Sequence, residues 1–287
     1  MVWYFVSFLF LSLGTIFRGK DEKQLYSIFL YSNFLLLVLL IGLRHEVGGD
    51  WITYVDFYND ALTLSEIRFF NEPGYFIINW FLLKLGGGVY SINLIAALIS
   101  LGFFSAAIKR WRGDLSIAYL AAFPVFWMVV NMGYTRQAVA VSIITYAYTE
   151  IEKKNFKKYI LLVILAFLFH KTAVVGIGLY FFFSKIKFKN VFLFGICMAA
   201  IAWYLFEHSK LEHYIFQNLR STGSLQRLAL YIFPLLMFYS FRRRWQLVYR
   251  DELFVHRGSL MILGLFVLLF VGFPSLVIDR MGFYFFF

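Results

Sequence analysis

The side chains able to do chemistry in this sequence are a few arginines, one histidine, and a run of acids and aromatic rings. Arg44 opens the stretch Arg44-His45-Glu46-Val47-Gly48-Gly49-Asp50-Trp51-Ile52-Thr53-Tyr54, and Asp56, Asp60, Glu66 and Glu72-Pro73-Gly74-Tyr75 follow. Glycines allow backbone to come close to a ligand. Aromatic faces stack on the C–H faces of sugars and carboxylates bond their hydroxyls, so the stretch has the makings of a saccharide site. The same residues also suit a solvated loop with interfacial anchors, since Trp and Tyr gather at headgroup level. Arg136 follows Gly133-Tyr134-Thr135. It either snorkels to the interface or faces inward and pairs bidentately with phosphate. Arg220 and Arg227 flank another loop and are weaker candidates. His170 follows Leu165-Ala166-Phe167-Leu168-Phe169. A histidine in an apolar run is commonly structural, but its titration range suits a general base. Asp56 and Asp60, four apart, can share a helix face. Such pairs are more often solvated than metal-bound, so no metal is expected. Phosphate-loop, HExxH and GxSxG patterns are absent from the sequence.

These residues need elements to position them, and the composition says which. The chain has 287 residues, 61% hydrophobic and 15% charged, with a net charge of +11. Soluble domains are about a quarter charged. A soluble enzyme of this length lacks the means to build its shell here, and nucleic-acid binding is a poor reading of the basic balance. The expectation is a polytopic membrane protein of helices. The single cysteine, Cys197, excludes an intrachain disulfide and a thiolate zinc cage.

About ten apolar stretches approach the length needed to cross roughly 30 Å of hydrocarbon. They lie near 1–17, 25–43, 89–108, 115–131, 134–150, 159–169, 172–184, 190–206, 225–241 and 256–273. The first lacks a basic flank and a cleavage site, so it reads as a retained span rather than a signal peptide. One alternating set of connections holds Arg18, Lys20, Lys23; Lys109, Arg110, Arg112; Lys153, Lys154, Lys157, Lys158; Lys185, Lys187, Lys189; and Arg242, Arg243, Arg244, Arg250, Arg257. That is eighteen of the 27 basic residues. The positive-inside rule places this set in the cytoplasm and the N-terminus outside. Arg44, Arg136 and Arg280 then fall at the outer ends of spans, where the topology permits them to converge. Ionisable residues at membrane depth are functional candidates by default.

Two segments depart from simple spanning. Residues 73–85 form a short apolar helix with both ends outside, read as re-entrant or interfacial. Residues 159–184 lie between two lysine clusters, so they read as a tight hairpin with His170 and Lys171 at its apex. After Asp279-Arg280 the last seven residues look like the start of a helix, and the natural chain is expected to continue past Phe287. The whole reads as a single transmembrane domain, 1–287, with an outer loop 44–72 and the short helix 73–85.

Together these residues resemble the EpsG-like family of Wzy-type polysaccharide polymerases. The matching pieces are Gly42-Leu43-Arg44 with Val47-Gly48-Gly49-Asp50-Trp51 and Tyr54, then Glu72-Pro73-Gly74-Tyr75, Arg136-Gln137, Phe169-His170 and Asp279-Arg280. The Arg–Val-Gly-x-Asp-Trp and Glu-Pro-Gly-Tyr elements are the specific ones. Family members usually carry further helices after the Asp-Arg pair, which is where this sequence departs. The resemblance implies an all-α, GT-C-like bundle in the bacterial cytoplasmic (inner) membrane, with its site on the outer face. It implies a glycosyltransferase that polymerises oligosaccharide repeat units carried on undecaprenyl pyrophosphate, without metal or other cofactor. Donor and acceptor are both lipid-linked, and a chain-length regulator is a candidate partner. The product is a surface polysaccharide such as O-antigen, capsule or exopolysaccharide. In that reading Arg44, Arg136 and Arg280 hold pyrophosphate. His170 is the first candidate base, and Asp50 or Glu46 the second. Trp51, Tyr54, Glu72 and Tyr75 shape the sugar site. An O-antigen-ligase-like transferase, a flippase of lipid-linked sugars and a scaffold subunit of an export complex are the rivals.

Overall fold

The computed structural model describes residues 2–17, 23–63, 72–183, 223–241, 252–270 and 275–285. Every regular element among them is helical. They group into two compact units, Met1–Ala173 and Val174–Phe287.

In the first unit the helices are α1 (Val2–Ile16), α2 (Lys23–Gly42), α3 (Trp51–Thr63), α4 (Pro73–Lys84), α5 (Val89–Arg110), α6 (Leu115–Ala122), α7 (Thr135–Glu152) and α8 (Phe156–Phe169). A nine-residue π-helix, Phe123–Asn131, joins α6 to the approach of α7. α7 is the centre. Nearly all its residues from Gln137 to Ile151 are buried, and it packs on α5 and α8 while α5 packs on α2. Its small side chains allow this close approach: Ala138, Ala140 and Ala147 are fully buried, and Ser142 shares a hydroxyl bond of 2.7 Å with Ser100 on α5. Large apolar side chains instead cover the outside, with Phe5, Leu35, Leu39, Leu161 and Ile164 exposed. Small and polar residues inside with large apolar ones outside is the arrangement of a bundle packed in lipid.

Two helices, Lys23–Gly42 and Val89–Arg110, are long and apolar enough to cross a membrane singly. At 1.5 Å per residue they reach about 30 and 33 Å. Shorter apolar helices cover Val2–Ile16, Leu115–Asn131, Lys171–Phe183, Ser224–Met237 and Gly258–Phe270. The described helices thus fall on nine of the ten expected stretches. The tenth, 190–206, lies outside the described residues, as do Arg220 and Cys197.

Polar groups gather at the two ends of this first bundle. At one end Arg110 on α5 and Lys158 on α8 both pair with Glu150 on α7, and Tyr26 on α2 donates to Asp114, the N-cap of α6, at 3.3 Å. At the other end lie Arg44, Asn93, Thr135 and His170. The basic end is the one assigned to the cytoplasm from the sequence.

One expectation needs correction. Segment 44–72 is not a continuous loop, because Trp51–Thr63 is a helix. It carries Tyr54 and Phe57 on its inner side and leaves Asp56 and Asp60 exposed, with Ile52 exposed as well, so its apolar residues are not confined to one face. The short helix expected at 73–85 is α4, Pro73–Lys84. The break expected at His170 is also present. α8 ends at Phe169, His170 is extended, and a 3-10 turn covers Lys171–Val174.

The second unit holds α9 (Val175–Phe183), α10 (Ser224–Ala229), α11 (Ile232–Ser240), α12 (Glu252–Phe270) and α13 (Ser275–Gly282). α13 packs on α10 and α12. Asp279 on α13 accepts two bonds of 2.7 Å from Arg227 on α10, a bidentate pair that ties these helices together.

Candidate active site

Three polar turns meet at the end of the first unit opposite the basic clusters. The chain leaving α2 carries Arg44 and Asp50, the residue before α4 is Glu72, and α7 begins at Thr135-Arg136. His170 joins them from the end of α8. Local backbone holds each turn. Gly48 adopts φ +103°, and a Cβ there would meet the Met132 carbonyl oxygen at 2.2 Å and Gly133 Cα at 2.8 Å. The loop therefore lies flat on the chain entering α7. Glu72 is left-handed at φ 56°, and Pro73 starts α4 where a missing N–H is harmless. A Cβ on Gly74 would touch the Leu168 oxygen at 3.0 Å, so α4 and the end of α8 approach closely.

The two arginines are in different electrostatic states. Arg44 is 4% exposed. It donates to the Ile41 carbonyl at 3.1 Å, to Asn93 Oδ1 at 3.3 Å and to Thr135 Oγ1 at 2.5 Å, while its Nε has no partner. All these partners are neutral, so its charge is buried without a counter-ion among the described residues. Burial accordingly lowers its pKa from the usual arginine value. Arg136, by contrast, donates to Glu72 Oε2 at 2.5 Å and lies 4.0 Å from Asp50. The Tyr54 ring sits between them, 5.8 Å from the Arg44 guanidinium and 5.4 Å from that of Arg136. Phe57 lies 4.7 Å from Arg136, and Tyr75 packs against both rings.

Glu72 has its second oxygen 3.8 Å from His170 Nε2. Burial raises its pKa, against the lowering influence of Arg136 and of a backbone bond from Lys171. His170 is buried, and its Nδ1 lies 2.7 Å from Thr172 Oγ1 and accepts from the Thr172 backbone N–H at 3.2 Å.

Beside this cluster is a more open group of rings. His45 Nδ1 and the Tyr90 hydroxyl are 2.7 Å apart, and Trp51 stands edge-on to His45 at 5.7 Å and 6.4 Å from Tyr90. Space over Gly49, Gly86 and Gly88 is open.

Of the residues singled out from the sequence, Arg44, Asp50, Tyr54, Glu72, Tyr75, Arg136 and His170 come together. Trp51 lies at their edge. Glu46 does not join them: its side chain is exposed and lies 3.7 Å from His45. Arg280 is on α13 of the second unit, next to Asp279. Asn93, Thr135, Phe57 and Thr172 were not foreseen. Asn93 had a signal, a polar side chain within an apolar span, and Thr135 adjoined a candidate arginine. Among the described residues no three His, Cys, Asp or Glu side chains group as a metal site.

Comparison with known protein families matches the EpsG family over residues 27–287. The chain belongs to the EpsG family. No curated protein and no solved structure matches it. EpsG is a Wzy-like polymerase family, and membership carries, at the coarse level, a glycosyltransferase-like polymerase activity on polysaccharide and a membrane setting. The matched range includes the whole Arg44–Glu72–Arg136–His170 cluster of this EpsG protein.

Proposed function

We propose that this EpsG protein joins oligosaccharide repeat units carried on a prenyl pyrophosphate, undecaprenyl pyrophosphate in a bacterial cytoplasmic membrane, at the membrane's outer face. An acceptor hydroxyl on one lipid-linked unit attacks the anomeric carbon of another. The bond from that carbon to phosphate oxygen breaks, and lipid pyrophosphate leaves.

The observation that carries this reading is Arg44, a buried guanidinium whose partners are all neutral. A buried charge without a counter-ion is costly to a fold. It is explained by an anion that arrives with the substrate. Arg136, which shares the Tyr54 ring with Arg44, supplies a second guanidinium once the donor competes with Glu72 and Asp50. Preorganised cations at a developing negative charge are the largest single source of rate in many enzymes. In this reading they do the work that a metal ion does in other transferases. Arg280 is proposed as a third member on the strength of the family motif. Tyr54 and Tyr75 wall the donor site, and Trp51 offers a face to a sugar. α4, short and apolar, lies along the route of the prenyl tail. A GT-C-like organisation follows from the same reading.

Purified protein given undecaprenyl-pyrophosphate repeat units tests this. A ladder of lengthening glycans, formed also after chelation, is the expected result. Movement of the lipid-linked unit across a vesicle membrane without any ladder would replace the polymerase with a flippase.

A further inference from the structure

The geometry points to Glu72 as the group that takes the proton from the attacking hydroxyl, with His170 as the residue that positions it. This rests on the polymerase reading above.

A neutral imidazole has one N–H and one lone pair. Thr172 decides which nitrogen has which. A backbone N–H only donates, and that of Thr172 points at His170 Nδ1 at 3.2 Å. Nδ1 is therefore the acceptor, a tautomer assigned from the hydrogen-bond pattern, and the ring proton lies on Nε2. Nε2 faces Glu72 Oε1 at 3.8 Å. The histidine thus has its lone pair occupied and presents an N–H to the carboxylate. At 3.8 Å the contact is longer than a hydrogen bond, so a ring held that way orients a base through its N–H dipole and is not itself one.

Glu72 has what His170 lacks. Its Oε2 is fixed by Arg136 at 2.5 Å and its Oε1 faces His170, and an ionised carboxylate keeps lone pairs beyond those taken by Arg136 and the Lys171 backbone N–H. Its left-handed backbone and the following Pro73 fix the side chain's origin. The balance closes. The hydroxyl oxygen bonds the anomeric carbon, its proton passes to Oε1, and the electron pair of the broken carbon–oxygen bond leaves with pyrophosphate. Glu72 then returns the proton to water.

The arrangement also times the step. Arg136 holds Glu72 before the donor arrives and lowers its basicity. As the donor's pyrophosphate draws charge from Arg136, that hold weakens, and Glu72 becomes a stronger base when the proton has to move.

Two amide substitutions separate the roles. His170→Gln keeps an N–H near the place of Nε2 and removes any ability to accept a proton. Glu72→Gln keeps shape and removes the base. Turnover is measured as ladder formation on undecaprenyl-pyrophosphate repeat units, and affinity as binding of undecaprenyl pyrophosphate alone. Glu72→Gln is expected to lose roughly 1,000-fold in turnover, within the range for a general base, and to bind the pyrophosphate lipid as tightly or more tightly, because Arg136 is released. His170→Gln is expected to keep turnover within about 10-fold of wild type, well short of the loss expected on removing a general base. Inactive His170→Gln beside active Glu72→Gln would overturn the assignment. So would a Glu72→Gln whose loss lies wholly in lipid binding. A wild-type protein that forms no ladder would overturn both this assignment and the polymerase reading.

Discussion

Arg44 is a buried cation with no charged partner among the described residues. The consequence is a split between stability and activity. Arg44→Met removes a buried, uncompensated charge while keeping the stem's bulk, so the variant should melt at or above the wild-type temperature. The same change should lower turnover by about 100- to 1,000-fold, the cost of losing one preorganised donor at a developing anion. Arg44→Lys should not restore it, since a point charge lacks the fork that pairs with phosphate. At Glu72 the sign of a pH effect can be fixed. The groups facing it are Arg136 from α7, His170 and Lys171 from the turn after α8, and, through Arg136, Asp50. Burial raises Glu72 above the usual 4.5. The active form is ionised and is lost as pH falls through the raised value, so the acid limb of the pH–rate profile should lie above the ordinary carboxylate range. Lys171→Gln removes a cation that lowers this pKa, and should move the limb upward with the plateau kept. A downward shift would contradict the assignment.

The site at the level of elements depends on three turns pressed together, and Gly48 is where pressing is tightest. Gly48→Ala would add a methyl group against the Met132 carbonyl at a positive φ. It should displace Arg44 and Asp50 together and cost at least about 1–3 kcal/mol, by the scale of strained backbone. Gly49→Ala, with open space around it, should be neutral in both melting and ladder formation. The pair is a test of which diglycine position is structural. Much of this was legible in the chain and some was not. Glu-Pro-Gly-Tyr marked the start of α4 through proline's fixed φ, and the lysine clusters around 159–184 required a break near His170. α3 was hidden because its apolar residues, Ile52 and Val55 as well as Tyr54 and Phe57, are interrupted by Asp56, Asn59 and Asp60 and read as a polar loop with interfacial aromatics. The π-helix Phe123–Asn131 was invisible for a different reason. Its residues are apolar up to Asn131 and carry no period to distinguish a wider turn from an α-turn.

For the first unit as a whole, its two ends do different work. The basic end is tied by Glu150, whose side chain is buried while Arg110 and Lys158 reach partly to water. Glu150→Ala should lower stability by about 1–3 kcal/mol, less than for a fully buried pair because both cations can rehydrate. The folded fraction should turn over normally, since Glu150 lies 14 residues along α7 from Arg136, about 21 Å from the site. Melting curves beside specific activity would show this, and a loss of activity in folded protein would contradict it. The separation of ends was legible from charge alone, because lysines and arginines alternate between connections. The pairing of individual cations was not. Arg136 bonded to Glu72 and Arg44 bonded to neutral groups depend on packing between helices far apart in sequence. The most direct test of the account is ladder formation by folded Arg44→Met on undecaprenyl-pyrophosphate repeat units, beside wild type. The expected result is a ladder from wild type and one slowed about 100- to 1,000-fold from a variant that melts no lower. A wild-type ladder from Arg44→Met would contradict it.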